Sequence, residues 1–275
     1  MSFGARLDAA VSQRGPACVG IDPHTALLEA WGLSDDVDGL ARFADACVEA
    51  FADTAAVVKP QSAFFEVYRS RGIEVLERTV AALRSAGVIV VLDVKRGDIG
   101  TTMAAYARAY LDPSSPLAAD AITVSPYLGV GSLDPVFELC ERFDAGAFVL
   151  ALTSNKEGPQ FQRARLEDGR EVAQVVVDEL GARNADQAPL GSLGVVIGAT
   201  IGTANVTVDS LGGPFLVPGI GAQGGTAEDV RRIFGSGLRS VLPSVSREVL
   251  GRGPDPAALR SAVLQLNDTY AFIRA

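Results

Sequence analysis

The sequence has a single histidine, His24, and only three cysteines among its 275 residues. One histidine excludes a metal site built from several histidines and leaves little room for Ser-His-Asp chemistry. Cys18, Cys47 and Cys140 are far apart and odd in number, which disfavours a disulfide framework or a cysteine metal site. We expect all three to be small, buried hydrophobic residues.

Long apolar runs are also missing. No stretch approaches the roughly 20 residues that span a bilayer, and the N-terminal MSFGARLDAA lacks the apolar core of a signal peptide. We therefore expect a cytoplasmic protein without a membrane segment. Acidic residues outnumber basic ones, and the formal net charge is −9. This excess of negative charge argues against a nucleic-acid-binding surface. A local cationic pocket for a small anionic molecule remains compatible with that balance.

Short β-branched runs alternate with longer amphipathic segments along the chain. Strands are predicted at residues 17–21, 55–58, 88–95, 119–124, 146–150, 193–197, 215–217 and 240–242. Helices are predicted at 40–51, 64–85, 101–110, 133–142, 171–183, 227–234 and 256–273, with a weak, short segment at 203–210. Several strands are continuously apolar, as parallel strands buried on both faces are.

This alternation predicts an α/β fold, a (β/α)8 barrel formed by residues 1–275 as a single domain. An open, doubly wound sheet is the alternative. No G-x-G-x-x-G motif follows the first strand, so dinucleotide binding has no support. A long polar segment, residues 153–168, follows the fifth strand and is either a functional binding loop or a plain surface excursion.

Charged residues end the first three predicted strands. Asp22 ends the first, Lys59 the second, and Asp93 and Lys95 the third. In a barrel, the carboxyl ends of the strands build the active site. Because side chains alternate along a strand, we predict that Asp93 and Lys95 face the barrel mouth while Val94 packs toward the helices.

Lys59, Asp93, Lys95 and Asp98 are predicted to form a formally neutral set of alternating charges. The alternative is a stabilising ion-pair cluster, in which Asp98 caps the helix that begins near Thr101. A lysine beside carboxylates is stabilised in its protonated form. This environment suits a proton donor and disfavours a Schiff-base lysine, which must become neutral.

Two late segments have the composition of a phosphate site. A glycine-rich loop, residues 218–225, follows the seventh strand, and Ser246 and Arg247 follow the eighth. Backbone N–H groups and a guanidinium bind phosphate well, and barrel enzymes often hold phosphate at these two positions. Two ordinary tight turns are the alternative. Taken together, the segments predict an enzyme that acts on a phosphorylated small molecule.

Residues 93–102, DVKRGDIGTT, resemble the D-x-K-x-x-D-I-G-x-T signature of orotidine 5'-phosphate decarboxylases, and are most similar to the longer bacterial subgroup. The resemblance extends to residues 20–24, 58–60, 123–129, 218–225 and 246–247. It implies decarboxylation of orotidine 5'-monophosphate to UMP and CO2, the last step of UMP biosynthesis, with no metal and no other cofactor.

The resemblance also implies residue roles. Lys95 would protonate C6 of the pyrimidine, and Asp93 would lie beside the departing carboxylate with Lys59 bonded to it and to the ribose. Asp98 and Thr102 would reach into the neighbouring subunit's site, which implies a homodimer. Substrate-binding roles would fall to Asp22 at the ribose, Ser125 at the pyrimidine, Gln223 between base and phosphate, Arg247 at the phosphate, and Thr102, Pro218, Gly224 and Ser246.

Two other functions remain open at this point. A magnesium-dependent sugar-phosphate decarboxylase or synthase of the same superfamily shares D-x-K-x-x-D but generally has a carboxylate where this chain has Lys59. A non-catalytic phosphometabolite-binding barrel would need Arg247 and the glycine loop but not the lysine–aspartate set. The chain departs from shorter family members in the 153–168 segment, so Asn155, Lys156 and Gln160 receive no role.

Overall fold

The computed structural model describes residues 1–202 and 206–274, and these form a closed barrel. Its parallel strands pair in chain order, and the first pairs with the eighth. The strands are β1 Cys18–Ile21, β2 Val57–Pro60, β3 Ile89–Arg96, β4 Ala121–Val124, β5 Gly146–Leu152, β6 Leu193–Ile197, β7 Phe215–Val217 and β8 Val241–Val245. The barrel prediction is confirmed, and the open-sheet alternative is wrong.

Helices lie between the strands and around them. They are α1 Phe3–Arg14, α2 Thr25–Ala30, α3 Val37–Phe51, α4 Ser62–Glu66, α5 Arg69–Ser85, α6 Gly100–Leu111, α7 Asp134–Arg142, α8 Pro159–Gln162, α9 Val172–Asn184, α10 Ala227–Phe234, α11 Arg247–Leu250 and α12 Pro256–Thr269. The predicted helix 64–85 is in fact two, because the chain turns at Arg69, which has a φ of 59°. Of the weak 203–210 segment, residues 203–205 lie outside the described residues, and Val208–Ser210 forms a 3₁₀ turn.

Sequence analysis missed α1, which closes the amino-terminal end of the barrel. Phe3, Leu7 and Val11 of α1 are buried with the inward-facing strand residues. The Phe3 ring meets Phe148 edge-on, with centroids 6.2 Å apart. Gly146 makes room for this contact, because a Cβ there would lie 2.3 Å from the Phe3 ring.

The barrel interior changes from apolar to polar along its axis. On β3, Ile89 and Val91 belong to the inner apolar cluster, and Asp93 follows them one step nearer the carboxyl end. Val94 packs instead with the outer cluster between strands and helices, as predicted. The three cysteines are buried, as expected. Inside the barrel, the buried charged side chains of Lys59 and Asp93 therefore lie toward the carboxyl ends of their strands.

Candidate active site

A cavity of about 320 Å³ opens at the carboxyl ends of the barrel strands. Of the residues predicted from sequence, those that line it are Asp22, Lys59, Asp93, Lys95, Pro218, Gln223, Ser246 and Arg247. Barrel enzymes bind substrate at this end, because strand ends and loops from many elements converge there. The cavity is the candidate active site.

Two lysines share one carboxylate at its floor. Lys59 Nζ lies 3.0 Å from Asp93 Oδ2, and Lys95 Nζ lies 2.5 Å from Asp93 Oδ1. Lys59 and Asp93 are buried, whereas Lys95 keeps 47% of its side chain exposed. Lys95 is therefore the member of the cluster that presents its ammonium to the cavity.

The buried pair is held in its charged form. Burial alone would raise the pKa of Asp93, but Lys59 and Lys95 lower it by more than burial raises it, so the pKa lies well below its usual range. Burial lowers the pKa of Lys59, but Asp93 and Asp22 more than offset this, so the pKa lies above its usual range. At neutral pH the cavity floor thus holds the Asp93 carboxylate paired with the Lys59 ammonium.

Three buried oxygens at the cavity lack partners. Asp22 Oδ1, Ser154 Oγ and Ser246 Oγ are fully buried and form no hydrogen bond within residues 1–202 and 206–274. All three residues line the cavity. Buried polar groups are nearly always hydrogen-bonded, so these oxygens indicate where a polar ligand binds.

Sequence reasoning missed Ser154, which follows β5 at the start of the 153–168 segment. Its hydroxyl is pressed against two glycines, because a Cβ at Gly198 would lie 2.1 Å from Ser154 Oγ and one at Gly219 would lie 2.9 Å away. Thr153 and Asn155 line the cavity as well. The beginning of this segment is therefore part of the site, which favours the binding-loop interpretation over the surface excursion.

Ser125, the predicted pyrimidine contact, does not line the cavity. Its backbone N–H donates to Arg96 O at 2.8 Å, and its side chain lies against Gly97. Ser125 comes directly after β4, whereas Ser154 comes two residues after the end of β5. Of the two serines, only Ser154 therefore lines the cavity.

Asp98 and Thr102 also lie outside this chain's own cavity. Asp98 Oδ1 accepts a hydrogen bond from the adjacent Ile99 N at 2.8 Å, and α6 has no side-chain cap, so the capping alternative is wrong. Thr102 is exposed on the first turn of α6, next to Ile99, which is 62% exposed. Neither side chain therefore lines the cavity of its own barrel.

The glycine-rich loop and the start of α11 form the opposite wall. Within the loop, Gly225 N donates to Gly219 O at 2.9 Å and Gly224 N donates to Gly221 O at 2.7 Å. Gly219 has a φ of 93°, a conformation that L side chains rarely adopt. Pro218 and Gln223 line the cavity, whereas Gly224 does not. Arg247 lines this wall and supplies a cation there.

Neither a membrane-crossing helix nor a metal-binding cluster occurs in the part of the chain that the structure describes. No helix there combines the length and apolarity needed to cross a bilayer. Within the same residues, no three His, Cys, Asp or Glu side chains are grouped as metal ligands.

The chain matches a family model described as orotidine 5'-phosphate decarboxylase / HUMPS family over residues 15–262. It is similar to an orotidine 5'-phosphate decarboxylase of Salinispora tropica, at 63% identity over 261 residues that cover 95% of this chain and 94% of the relative. One from a Nocardioides species is 59% identical over 269 residues, or 97% of each chain. A Streptomyces avermitilis crystal structure described under the same enzyme name has a TM-score of 0.96 at 55% identity, over 100% of this chain and 96% of that one.

Proposed function

The chain belongs to the orotidine 5'-phosphate decarboxylase / HUMPS family, and from this premise we propose that it converts orotidine 5'-monophosphate to UMP and CO2. In the cell this would be the last step of UMP biosynthesis, carried out by residues 1–275 as one catalytic domain. The observation that carries the proposal is the Lys59–Asp93–Lys95 cluster on the cavity floor, opposite a wall suited to phosphate.

In the proposed reaction, the bond between C6 of the pyrimidine and the carboxylate carbon breaks. CO2 departs, and the electron pair of that bond stays on C6. The Lys95 ammonium stabilises the developing negative charge and then donates its proton to C6, and it regains a proton from solvent afterwards. This role is supported by the exposure of Lys95 to the cavity at one edge of Asp93.

Asp93 would act through its fixed charge. Because its pKa is held low, it stays ionised when the substrate carboxylate binds beside it. The repulsion between two neighbouring carboxylates falls as CO2 leaves, so the transition state is favoured over the bound substrate. Lys59 keeps Asp93 in place and would also reach the ribose, for which Asp22 and Ser246 supply further polar oxygens.

Base and phosphate would bind along the other walls. The buried, unpartnered hydroxyl of Ser154 is suited to hydrogen-bond the pyrimidine. Gln223 belongs to the glycine-rich loop, and its amide oxygen lies near Gly219, as the Ser154 hydroxyl does, so it would bridge base and phosphate, with Pro218 lining the wall in the same loop. Arg247 would bind the phosphate as a bidentate cation. Phosphate binding, remote from C6, would help close the site over the reacting carbon.

The protein would act as a homodimer with shared sites. Asp98 and Thr102 lie outside their own cavity and flank the exposed Ile99, and this supports their entry into the site of a second copy. Each site would then combine the Lys59–Asp93–Lys95 cluster of one subunit with the α6 start of its partner.

A magnesium-dependent sugar-phosphate enzyme is the second candidate, because the matched family also includes HUMPS members. Lys59 disfavours it, since an ammonium occupies the strand end where a metal-binding carboxylate would be needed. We propose that the reaction needs no metal or organic cofactor.

An ultraviolet assay of the EDTA-treated protein with orotidine 5'-monophosphate tests the proposal. We expect loss of the substrate's absorbance with stoichiometric release of CO2. Turnover only after magnesium is added would favour the sugar-phosphate class of enzyme, and UMP binding without turnover under either condition would favour a binding barrel. Lys95→Ala should abolish turnover while UMP still binds, and activity equal to that of the wild type would contradict the proton-donor role.

A further inference from the structure

The third strand leaves its regular path where it presents the lysine to the cavity. Lys95 has a φ of 44°, in the left-handed region that glycine favours and lysine rarely adopts. The register between β3 and β4 shifts at the same place, because Leu92 pairs with Ile122 and Arg96 pairs with Val124. The stretch of β3 between these two pairs is therefore two residues longer than the facing stretch of β4, which makes it a β-bulge. The surrounding structure must hold this bulge in place.

A single buried hydroxyl on β4 occupies the bulge. Thr123 is 1% exposed, and its Oγ1 accepts hydrogen bonds from Val94 N at 3.0 Å and Lys95 N at 2.9 Å. The same oxygen lies 2.8 Å from Asp93 Oδ1. Because both backbone partners are donors, the hydroxyl proton must be donated to Asp93. One donor and two lone pairs are the whole capacity of a threonine hydroxyl, so all of it is used here.

This arrangement joins the two charged groups on which the reaction depends. The bond that Thr123 Oγ1 accepts from Lys95 N fixes the backbone from which the Lys95 side chain extends. The bond that Thr123 Oγ1 donates to Asp93 fixes the carboxylate that Lys95 contacts. Without the Thr123 hydroxyl, the backbone N–H groups of Val94 and Lys95 would lose their acceptor in the bulge, the first of them in a buried bond and the second in a partly buried one.

We infer that Thr123 is a positioning residue: its hydroxyl holds the left-handed backbone at Lys95 and the carboxylate of Asp93 in one arrangement, and so sets where the Lys95 ammonium lies relative to the reacting carbon. The inference rests on the proposed decarboxylation for its consequence in catalysis. The geometry that it explains, the bulge and the contact between the two charged groups, is independent of that reaction.

The matched substitutions Thr123→Val and Thr123→Ser separate the hydroxyl from the shape of the side chain. Valine keeps the volume and branching but removes all three hydrogen bonds, whereas serine keeps the hydroxyl and loses only a methyl group. Thr79→Val is the control, because Thr79 is 4% exposed and its Oγ1 donates to Val75 O within α5, away from the cavity lining.

We expect Thr123→Val to lower kcat by about 10²-fold, the cost of a displacement of roughly 1 Å at a reacting group, with KM changed by only a few-fold. Thr123→Ser should restore kcat to within about fivefold of the wild type, and Thr79→Val should match the wild type. Wild-type kcat in Thr123→Val would overturn the inference. An equal loss in Thr123→Ser would overturn it too, because shape rather than the hydroxyl would then decide.

A crystal structure of Thr123→Val gives a readout that does not depend on activity. We expect the backbone at Lys95 to leave the left-handed region and the contact between Lys95 and Asp93 to lengthen. An unchanged backbone and an unchanged contact would overturn the inference, whatever reaction the wild type catalyses. A wild type that catalyses another reaction would overturn only the proposed function. If Thr123→Val does not fold, Thr123→Cys replaces it, because a thiol forms only weak hydrogen bonds. Wild-type kcat in Thr123→Cys would contradict the inference.

Discussion

Lys59 Nζ lies 3.0 Å from Asp93 Oδ2, and each of the two side chains is more than nine-tenths buried. Desolvating two charges is costly, and their attraction offsets that cost only when the geometry is good and the remaining lone pairs are bonded. Here Lys95 and Thr123 bond the other oxygen of Asp93. The cluster is therefore a set of mutually dependent charges, and the removal of one member should be felt by the others.

We predict that Asp93→Ala lowers the free energy of unfolding by about 3 kcal/mol, because it leaves the Lys59 ammonium buried without its main partner. Adding Lys59→Met to the same chain should recover much of that loss, since the uncompensated charge is then gone. Urea unfolding of the wild type, both single variants and the double variant, at one protein concentration, measures the coupling. Additive losses in the double variant would contradict this account of the pair.

The dependence of stability on pH follows from the same pair. The pKa of Asp93 is lowered in the folded protein, so its contribution is present above the unfolded value, about 3.9, and is lost as pH falls toward the folded value. The pKa of Lys59 is raised, so its contribution is present below about 10.4 and is lost as pH rises through the folded value. Between these limits the pair should contribute a constant amount.

We therefore predict that stability falls between about pH 5 and pH 2.5 with a slope that includes up to about 1.36 kcal/mol per pH unit from Asp93. In Asp93→Asn this part of the slope should disappear, because the amide does not titrate. Asp53→Asn serves as the control, since Asp53 is exposed at the end of α3, and it should keep the slope of the wild type. An Asp93→Asn slope as steep as that of the wild type would contradict the prediction.

The barrel and most of the cavity floor could be predicted from the sequence because their signals are local. Continuous apolar runs mark strands that are buried on both faces, and a charged residue at the end of such a run marks the barrel mouth. The missed helix α1 also carries a readable signal, with Phe3, Leu7 and Val11 one turn apart and Ser2 capping its start through its side chain.

Other features depend on three-dimensional geometry. A serine follows both β4 and β5, and the closed barrel places Ser154 but not Ser125 in the cavity lining. The left-handed conformation of Lys95 could not be predicted from the sequence either, because positive φ at a lysine is rare and no local pattern signals it. The bulge at Lys95 depends on Thr123, which is a neighbour in space and lies almost thirty residues further along the chain.

These two serines give a direct comparison. We predict that Ser154→Ala raises KM for orotidine 5'-monophosphate by about tenfold, because one hydrogen bond from a buried hydroxyl to the pyrimidine is lost, at roughly 1.4 kcal/mol. Ser125→Ala should have a clearly smaller effect. Steady-state kinetics, together with calorimetric titration of UMP, measures both variants. A larger loss in Ser125→Ala would reinstate that serine as the pyrimidine contact and remove Ser154 from that role.

Shared sites predict recovery of activity when two inactive variants are mixed. Asp93→Ala and Asp98→Ala homodimers should each be inactive, because every site lacks one of the two carboxylates. A mixed dimer has one site with both, formed by Asp93 of one subunit and Asp98 of the other, and a second site with neither. At equal mixing, half of the dimers are mixed and half of their sites are intact, so about a quarter of wild-type activity should return.

Asp93→Ala mixed with Lys95→Ala is the matched control for this experiment. Asp93 and Lys95 lie in the same chain's cavity, with Lys95 Nζ 2.5 Å from Asp93 Oδ1, so a mixed dimer has one site without the carboxylate and one without the ammonium. No activity should return in that mixture, however long the subunits exchange. Activity in both mixtures would indicate residual function of the variants. Its absence from the first, after mass spectrometry has shown exchange between folded subunits, would mean that Asp98 serves its own barrel and that each site is complete within one chain.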